Sequence, residues 1–461
     1  VTKKDDRVSN DDRNLEAGER PLTRKQFVAT AVGAAVAASP LLGAAARAGT
    51  YRTAATARAA KGKVVIGAFV DGGLVAFKNK IIPLFERDTG IKIEFLQDDY
   101  STFFEKAFQD GVSKAGQFDV YVMDDPWIPQ YASAPVLQNL TKLGFQADAD
   151  YMKPFLDLGW WPPKSGPRLP QFKTATPQLY ALPFVGDMQS LTYRKDAFGH
   201  APKTWNELVS VGKAKMSPPQ TYGYVFRGVK GNPIVASWFP VFRSQGGKIF
   251  DNNWNVLWNN AAGKRATEFF VHTLKSIAPP GIVEYDSDQE GAAILGGKAL
   301  SIVQYSGNAI KSDDPKQSKE VGKLGFGIVP RGPGGSIAQI GIFASGISVS
   351  APNLPNAIAF QKWFVTKQAQ IALARAGSLP VKRSAFLDKT AAKHNRLQTT
   401  ILAQLNAGAE ARPRTPDWAN VEDILGTELN KALSAGTVGD HLDNAAKQAT
   451  ALLKKNGYYK S

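Results

Sequence analysis

Lys63-Val-Val-Ile-Gly-Ala-Phe69 is the stretch on which the fold turns. It is an apolar run with a single charge, bounded by Asp71-Gly72-Gly73, and reads as a strand buried on both faces. Beyond it, Leu74, Phe77, Ile81, Ile82 and Phe85 fall at helical spacing. Pro83 is predicted to kink that helix and Thr89-Gly90 to end it. Ile91, Ile93 and Phe95 alternate as a second strand. A helix from about Ser101 to Lys114 leads to Asp119-Val-Tyr-Val-Met123, a third strand. Strands alternating with helices in this order predict a parallel sheet wrapped by helices, because parallel neighbours need crossovers longer than a turn.

The pattern changes further along. Trp160 to Thr176 is a Pro-rich irregular loop, after which short strands at 179–183 and 190–193 bracket Phe184-Val185-Gly186-Asp187. Helices are predicted over 205–215, introduced by Pro202 and Thr204, and over 234–245, 261–276 and 288–296. Strands are predicted at 299–303 and 326–329. Asn356 is expected to cap a long helix reaching Ala376, with Gly377 at its end. Two closing helices carry Val421, Ile424, Leu425, Leu429 and Leu433, then Leu442, Ala446, Ala449 and Leu453. Two α/β lobes joined by more than one crossing are the economical reading.

Composition narrows the chemistry. At 461 residues the chain is long for one core and suits two domains. Its 43% hydrophobic content with 21% charge fits a folded globular protein. There is no cysteine, which excludes disulfides, thiolate metal sites, a cysteine nucleophile and a lipid-modified N-terminal cysteine. Four scattered histidines (His200, His272, His394 and His441) have no metal-binding spacing, so neither a metal nor another cofactor is expected. The net charge of +16 comes from dispersed Lys and Arg without an RNA-binding or zinc-finger motif, so no nucleic-acid partner is expected.

The first residues read as an address. After a polar, mixed-charge stretch, Thr23-Arg24-Lys25-Gln26-Phe27 precedes a weakly apolar Ala/Gly segment from Val28 to Ala46, then Ala46-Arg47-Ala48. This is the layout of a secretory signal over residues 1–48, similar to a twin-arginine signal with Lys25 in the second arginine's place. An Ala/Arg/Thr linker follows over 49–62, and no later segment has the apolar length of a membrane span.

Several segments resemble one family. Phe85-Glu-Arg-Asp-Thr-Gly-Ile-Lys-Ile93, Asp119-Val-Tyr-Val-Met-Asp-Asp-Pro-Trp127 and Leu182-Pro-Phe-Val-Gly-Asp-Met-Gln-Ser-Leu-Thr-Tyr-Arg-Lys-Asp196 look like its helix-to-strand passage, third strand and first hinge. Pro202-Lys-Thr-Trp-Asn-Glu-Leu208 and Ile294-Leu-Gly-Gly-Lys-Ala-Leu300 are also typical. Five such segments in order, within about residues 62–459, resemble the extracellular solute-binding proteins, family 1, of carbohydrate-uptake ABC importers, the group of maltose-binding protein. The resemblance implies a two-lobe periplasmic-binding-protein-like fold (type II), each lobe a mixed, mainly parallel sheet flanked by helices. It places lobe 1 at 62–185 plus about 330–385, and lobe 2 at about 186–329 plus 386–461. Hinges are expected near Gly186 and Phe326–Pro330. It also implies a periplasmic monomer that delivers a carbohydrate to permease subunits in the inner membrane.

A sugar offers hydroxyls that need paired hydrogen bonds and C–H faces that favour aromatic rings, and carboxylates are strong acceptors for the former. Ligands of parallel sheets sit beyond the carboxyl ends of the strands. Those ends carry Asp71, Tyr100, Ser101, Asp124 and Asp125. The resemblance adds Asp187 and puts Asp71, Asp125 and Asp187 where the family faces sugar hydroxyls. Each Asp is equally a residue type that caps helices and turns. Trp127 is expected near the rim or in the core, Trp238 at a stacking position, and Tyr305, Ser306 and Asn308 after a second-lobe strand. Trp418 is a further aromatic candidate. No tryptophan lies at 305–308, which departs from the maltose pattern and puts oligosaccharide stacking there in doubt.

Other chemistries have weaker support. Asp251-Asn252-Asn253-Trp254-Asn255 begins like a calcium loop but lacks its Gly and closing carboxylate. Asp286, Asp288 and Glu290 offer carboxylates for glycoside hydrolysis and also suit a helix cap. Two alternatives to a neutral sugar or polyol stay open. One is an acidic sugar derivative met by Arg227, Arg243 or Arg331; the other is a secreted carbohydrate-active enzyme.

Overall fold

Strand β1 (Lys63–Phe69) is the centre from which the first half of the molecule grows. The computed structural model describes residues 62–459, so the expected signal at 1–48 and nearly all of the linker lie outside the described residues. β1 pairs in parallel with β2 (Lys92–Asp98) and β3 (Val120–Asp124). Its residues from Val64 to Phe69 are all buried, as an apolar run covered on both faces requires. Between these strands run α1 (Ile82–Thr89) and α2 (Tyr100–Ser113). Pro83 does not kink α1 but occupies its first turn, where a missing N–H costs nothing, and a π-helical turn at Phe77–Ile81 precedes it. Gly90 ends α1 at φ 73°, and Asp99 caps α2 by accepting from Thr102 N–H.

β4 (Leu182–Val185) and β9 (Phe343–Ile347) complete this sheet in the order β2-β1-β3-β9-β4. β9 runs antiparallel to both neighbours. It has no counterpart in the sequence reading, because Phe-Ala-Ser-Gly-Ile carries only two large apolar residues. The second sheet is built on β5 (Ser190–Arg194), flanked by β6 (Ser301–Gln304) and β7 (Leu324–Gly327). Here the expectation of a mainly parallel sheet is corrected: both pairings of β5 are antiparallel. The two-lobe α/β class itself holds.

Helices α3 (Trp205–Lys215), α4 (Asn232–Ser244) and α5 (Ser287–Leu295) belong to this second half. Thr204 caps α3 through Glu207 N–H, and Asp286 forms a capping box with Gln289 at α5. β6 is followed by one short turn of helix, α6 (Ser306–Ala309). The long helix expected from Asn356 to Ala376 is two: α7 (Leu354–Phe364) and α8 (Lys367–Arg375). Thr366 is extended between them and caps α8 through Ala369 N–H. Asn356 lies inside α7, where its amide donates to Lys63 O at 3.0 Å. After α9 (Leu397–Ala407) the chain closes with α10 (Trp418–Ala435) and α11 (Gly439–Lys455), and α10 packs along α4.

The chain passes from the first sheet to the second at 186–189 and returns over 328–342. Phe326 is inside β7, opposite Thr192, so the return begins after Gly327 and not at Phe326. The two passages are stitched together, with Gln189 N–H donating to Gln339 O and Gly341 N–H to Asp187 O, both at 3.1 Å. A third passage joins them where β8 (Ala338–Gln339) pairs in parallel with β10 (Ala409–Glu410).

Candidate functional site

The tips of β1 and β3, the first passage and the end of β6 meet at one place. Asp71 caps the turn after β1, its Oδ1 accepting Gly73 N–H at 2.6 Å. Asp187, in the first passage, receives Ser306 N–H at 2.8 Å, Ser306 Oγ–H at 2.6 Å and Met188 N–H at 2.8 Å, all on Oδ1. Among the described residues, Oδ2 of neither Asp71 nor Asp187 accepts a hydrogen bond. The two carboxyls flank Ser306-Gly307: a Cβ built on Gly307 would sit 3.2 Å from Asp71 Oδ1. Burial, and then the neighbouring Asp71 charge, push the Asp187 carboxyl up to about 8. Burial raises Asp71 as well.

Asp124 and Asp125 have a different fate. Arg412, buried just after β10, donates from Nη1 to Asp124 Oδ2 at 2.7 Å and from Nη2 to Asp125 Oδ2 at 2.5 Å. Nη2 also reaches Asp124 Oδ1, which makes the Asp124 pair two-pronged. Arg414 donates to Asp125 O at 2.7 Å and Oδ1 at 3.2 Å, and to Leu158 O. Asp125 is fully buried with each carboxyl oxygen on a guanidinium, so it has no face for a ligand. Tyr100 adds its hydroxyl to Asp124 Oδ2 at 2.8 Å and accepts Trp127 Nε1–H at 3.0 Å. The residue keeps 39% of its surface exposed.

The second-half wall is aromatic and acidic. The Tyr305 ring lies against Gly341, where a Cβ would approach Cε1 to 2.6 Å, and its hydroxyl donates to Gln339 Oε1. Arg227 hangs over that ring, 5.8 Å from the centroid. Glu422 accepts Asn232 Nδ2–H at 3.0 Å, and burial lifts it to about 7. Burial lifts Glu290, on α5, to about 8, partly offset by Arg227.

The structure thus brings Asp71, Tyr100, Asp124, Asp187, Tyr305 and Ser306 together and removes others from the site. Trp238 is a correction: it is fully buried in α4, stacked on Phe242 at 4.1 Å with its N–H on Thr267 Oγ1. Trp418, 1% exposed, is core at the start of α10. Trp127, 4% exposed, packs among Phe69, Tyr100, Phe104 and Tyr131 and supports Tyr100 from behind. Ser101 is exposed in the first turn of α2. Asn308 is spent on structure, donating to Ser287 O and accepting from Lys311, each at 3.0 Å. Sequence reasoning missed Arg412, Arg414, Gln339 and Glu422. The one signal for the arginines is Arg412-Pro413-Arg414, whose alternation places two guanidiniums along an extended segment.

Comparison with known proteins identifies the family. A probable amino-acid ABC transporter periplasmic-binding protein of Sinorhizobium fredii is 23% identical, over 82% of this chain and 86% of its own. A mannitol-binding protein of Pseudomonas aeruginosa is 28% identical, over 61% of this chain and 71% of its own. An ABC transporter solute-binding protein of Agrobacterium radiobacter, solved with ribitol, superposes with a TM-score of 0.74 at 26% identity, over 85% of this chain and 98% of that one. The family model of bacterial extracellular solute-binding proteins matches residues 72–371, more than half of the sequence. The chain belongs to the bacterial extracellular solute-binding protein family.

Proposed function

We propose that the protein holds one small, uncharged polyhydroxylated ligand, a polyol or a single sugar, in the cleft between its halves and presents it to the permease of an ABC importer. The observation that carries this reading is the pair of carboxyls Asp71 and Asp187, each with an unclaimed oxygen, on either side of Ser306-Gly307. The ionised form of such an oxygen accepts a hydroxyl proton strongly, and Asp187 Oδ2, which keeps its proton up to about pH 8, donates to a hydroxyl oxygen instead, so the pair can meet a hydroxyl from both sides. The mannitol-binding relative and the ribitol complex support the same ligand class. The amino-acid name of the other relative is the competing possibility that the experiment must include.

Ligand size follows from the tryptophans. Seven of the nine are buried, and the half-buried Trp160 and Trp363 are covered by Lys164 and Phe85. Of the aromatic residues placed at the site, Tyr100 and Tyr305 are the ones left for a sugar ring to rest on. Of the three arginines an acidic ligand would call on, Arg243 is paired with Glu410, Arg331 is exposed at a bridge to Thr204, and Arg227 is shared between Asp286 and the Tyr305 ring.

The family match supports the remaining parts of the reading. Lobe 1 comprises 62–185 with the returning segment that holds β9, α7 and α8; lobe 2 comprises β5 to β7 with the C-terminal helices. The protein works as a periplasmic monomer without turnover and without a nucleic-acid partner. No helix among the described residues is long and apolar enough to cross a membrane. Thermal-shift and calorimetric titration with D-mannitol, ribitol, D-glucose, maltotriose, glucuronate and amino acids tests the proposal. Stabilisation by a polyol or monosaccharide is expected. A response to amino acids or glucuronate alone refutes it.

A further inference from the structure

Arg227 is a cation that the protein encloses without engaging. Its backbone N–H donates to Ser237 Oγ at 2.9 Å, which ties the base of the side chain to α4. The side chain keeps only 13% of its surface exposed, yet among the described residues its guanidinium makes no hydrogen bond. Asp286 Oδ1 lies 3.9 Å from Nη1, beyond hydrogen-bond reach, and the Tyr305 ring centroid is 5.8 Å away. Glu290 and Glu422 feel its charge but accept nothing from it, and Glu422 is bonded to Asn232 instead. Five N–H donors on a largely buried charge call for acceptors. These donors are also reachable: the Arg227 nitrogens are not sealed from solvent, as the unpartnered indole nitrogens of Trp205, Trp258 and Trp418 are.

The place of this fork in the fold gives it a task. Tyr305, beneath it, is held by Gly341 and Gln339, and the next residue, Ser306, holds Asp187. Tyr305 feels the charges of both Arg227 and Asp187, so the cation shares a wall with the carboxyl pair. A planar fork of N–H groups suits two neighbouring oxygens. The Asp286 carboxylate opposes an anion at this point, whereas hydroxyl oxygens accept without carrying charge. We propose that the Arg227 guanidinium donates to neighbouring hydroxyl oxygens of the bound ligand, which makes it a specificity-determining residue of the cleft. This rests on the polyol reading above and narrows it: the Asp71–Asp187 pair takes one hydroxyl, and Arg227 selects ligands that carry two more on adjacent carbons.

The test is a double-difference titration. Wild type, Arg227→Met and Arg227→Lys are titrated with D-mannitol and ribitol, then with each monodeoxy form of whichever binds wild type more tightly. Ligand-free melting curves check that the variants are folded. Both are expected to bind the parent polyol about tenfold more weakly or worse, as loss of charge-assisted hydrogen bonds implies. The lysine keeps the charge but is a single point that does not span two oxygens. Two monodeoxy forms, altered at adjacent carbons and already weaker on wild type, should lose less than the parent on each variant. If the parent stays within about threefold, if every form weakens by the same factor, or if lysine restores full affinity, Arg227 serves only the charge balance of the wall. The inference then fails while the ligand reading stands. If folded wild type binds no polyol or sugar, both fall. Should Arg227→Met not fold, Arg227→Lys carries the same comparison.

Discussion

Gly72 and Gly307 touch backbone to backbone across the cleft: a Cβ on Gly72 would lie 2.8 Å from the Gly307 carbonyl oxygen. Gly72 follows a strand of the first sheet and Gly307 a strand of the second, so this is a point where the two halves meet at backbone distance. Only glycine permits it, since the atom in the way is backbone and cannot swing aside. Gly72→Ala is expected to hold the halves apart, shrink the ligand-induced fall in radius of gyration seen by small-angle scattering, and weaken polyol binding about tenfold. Gly439→Ala, at a position with open space around it, is the control and should change neither.

Arg412 neutralises two carboxylates at once. Arg412→Met strands Asp124 and Asp125 as buried charges facing each other, with Arg414 alone to answer them. Breaking a buried pair from one side costs about 3–5 kcal/mol. Chemical denaturation should read a loss of that order, and adding Asp124→Asn to the variant should recover part of it.

Asp187 makes stability depend on pH. Its carboxyl titrates near 8 in the fold and near the ordinary 3.8 when unfolded, so between those values the native state holds the extra proton. Its contribution is complete below about pH 4 and is lost as pH rises through about 8. Glu290, near 8, and Glu422, near 7, act in the same direction. Ligand-free protein should therefore melt at lower temperature at pH 8.5 than at pH 5.5. Asp187→Asn, which mimics the protonated carboxyl, should show a smaller drop; an identical drop would show that the group does not titrate in this range.

Trp238 separates packing from binding. Trp238→Ala should cost about 3–5 kcal/mol in denaturant, as loss of a large buried ring does. At a temperature where the variant is folded, its polyol affinity should match wild type. A large selective loss of affinity would return Trp238 to the cleft.

The first three strands were legible because 63–69, 91–95 and 119–123 bury or alternate their apolar residues without interruption. Asp71, Tyr305 and Ser306 could be picked as candidates because they follow strand ends, where ligands of α/β sheets meet the chain, and Asp187 only through the family resemblance. The Arg412 clamp was not, since its partner Asp124 lies 288 residues away and no local pattern encodes such a pairing. Trp238 misled for a related reason: the residue that covers it, Phe242, is one turn along its own helix, and spacing alone does not tell a stacking platform from a packed one. Thr366 carried the signal that splits α7 from α8, but the apolar period running across it reads as one helix.

The arginine clamp has a mechanical corollary. Residues 412–414 are bolted to the tip of β3 and to Leu158, whereas Thr415 bonds Tyr458, and Asp417 accepts Tyr458 Oη–H at 2.7 Å and Asn456 Nδ2–H at 2.6 Å. One side of the Arg414–Thr415 bond is thus held by the front body and the other by the rear. Pro413 and Pro416 stiffen the chain on both flanks. The third strap is therefore gripped by the second half at Glu410, by the first at 412–414 and by the C-terminal helices from Thr415 on, so each change of grip takes place within one or two residues rather than along a slack tether.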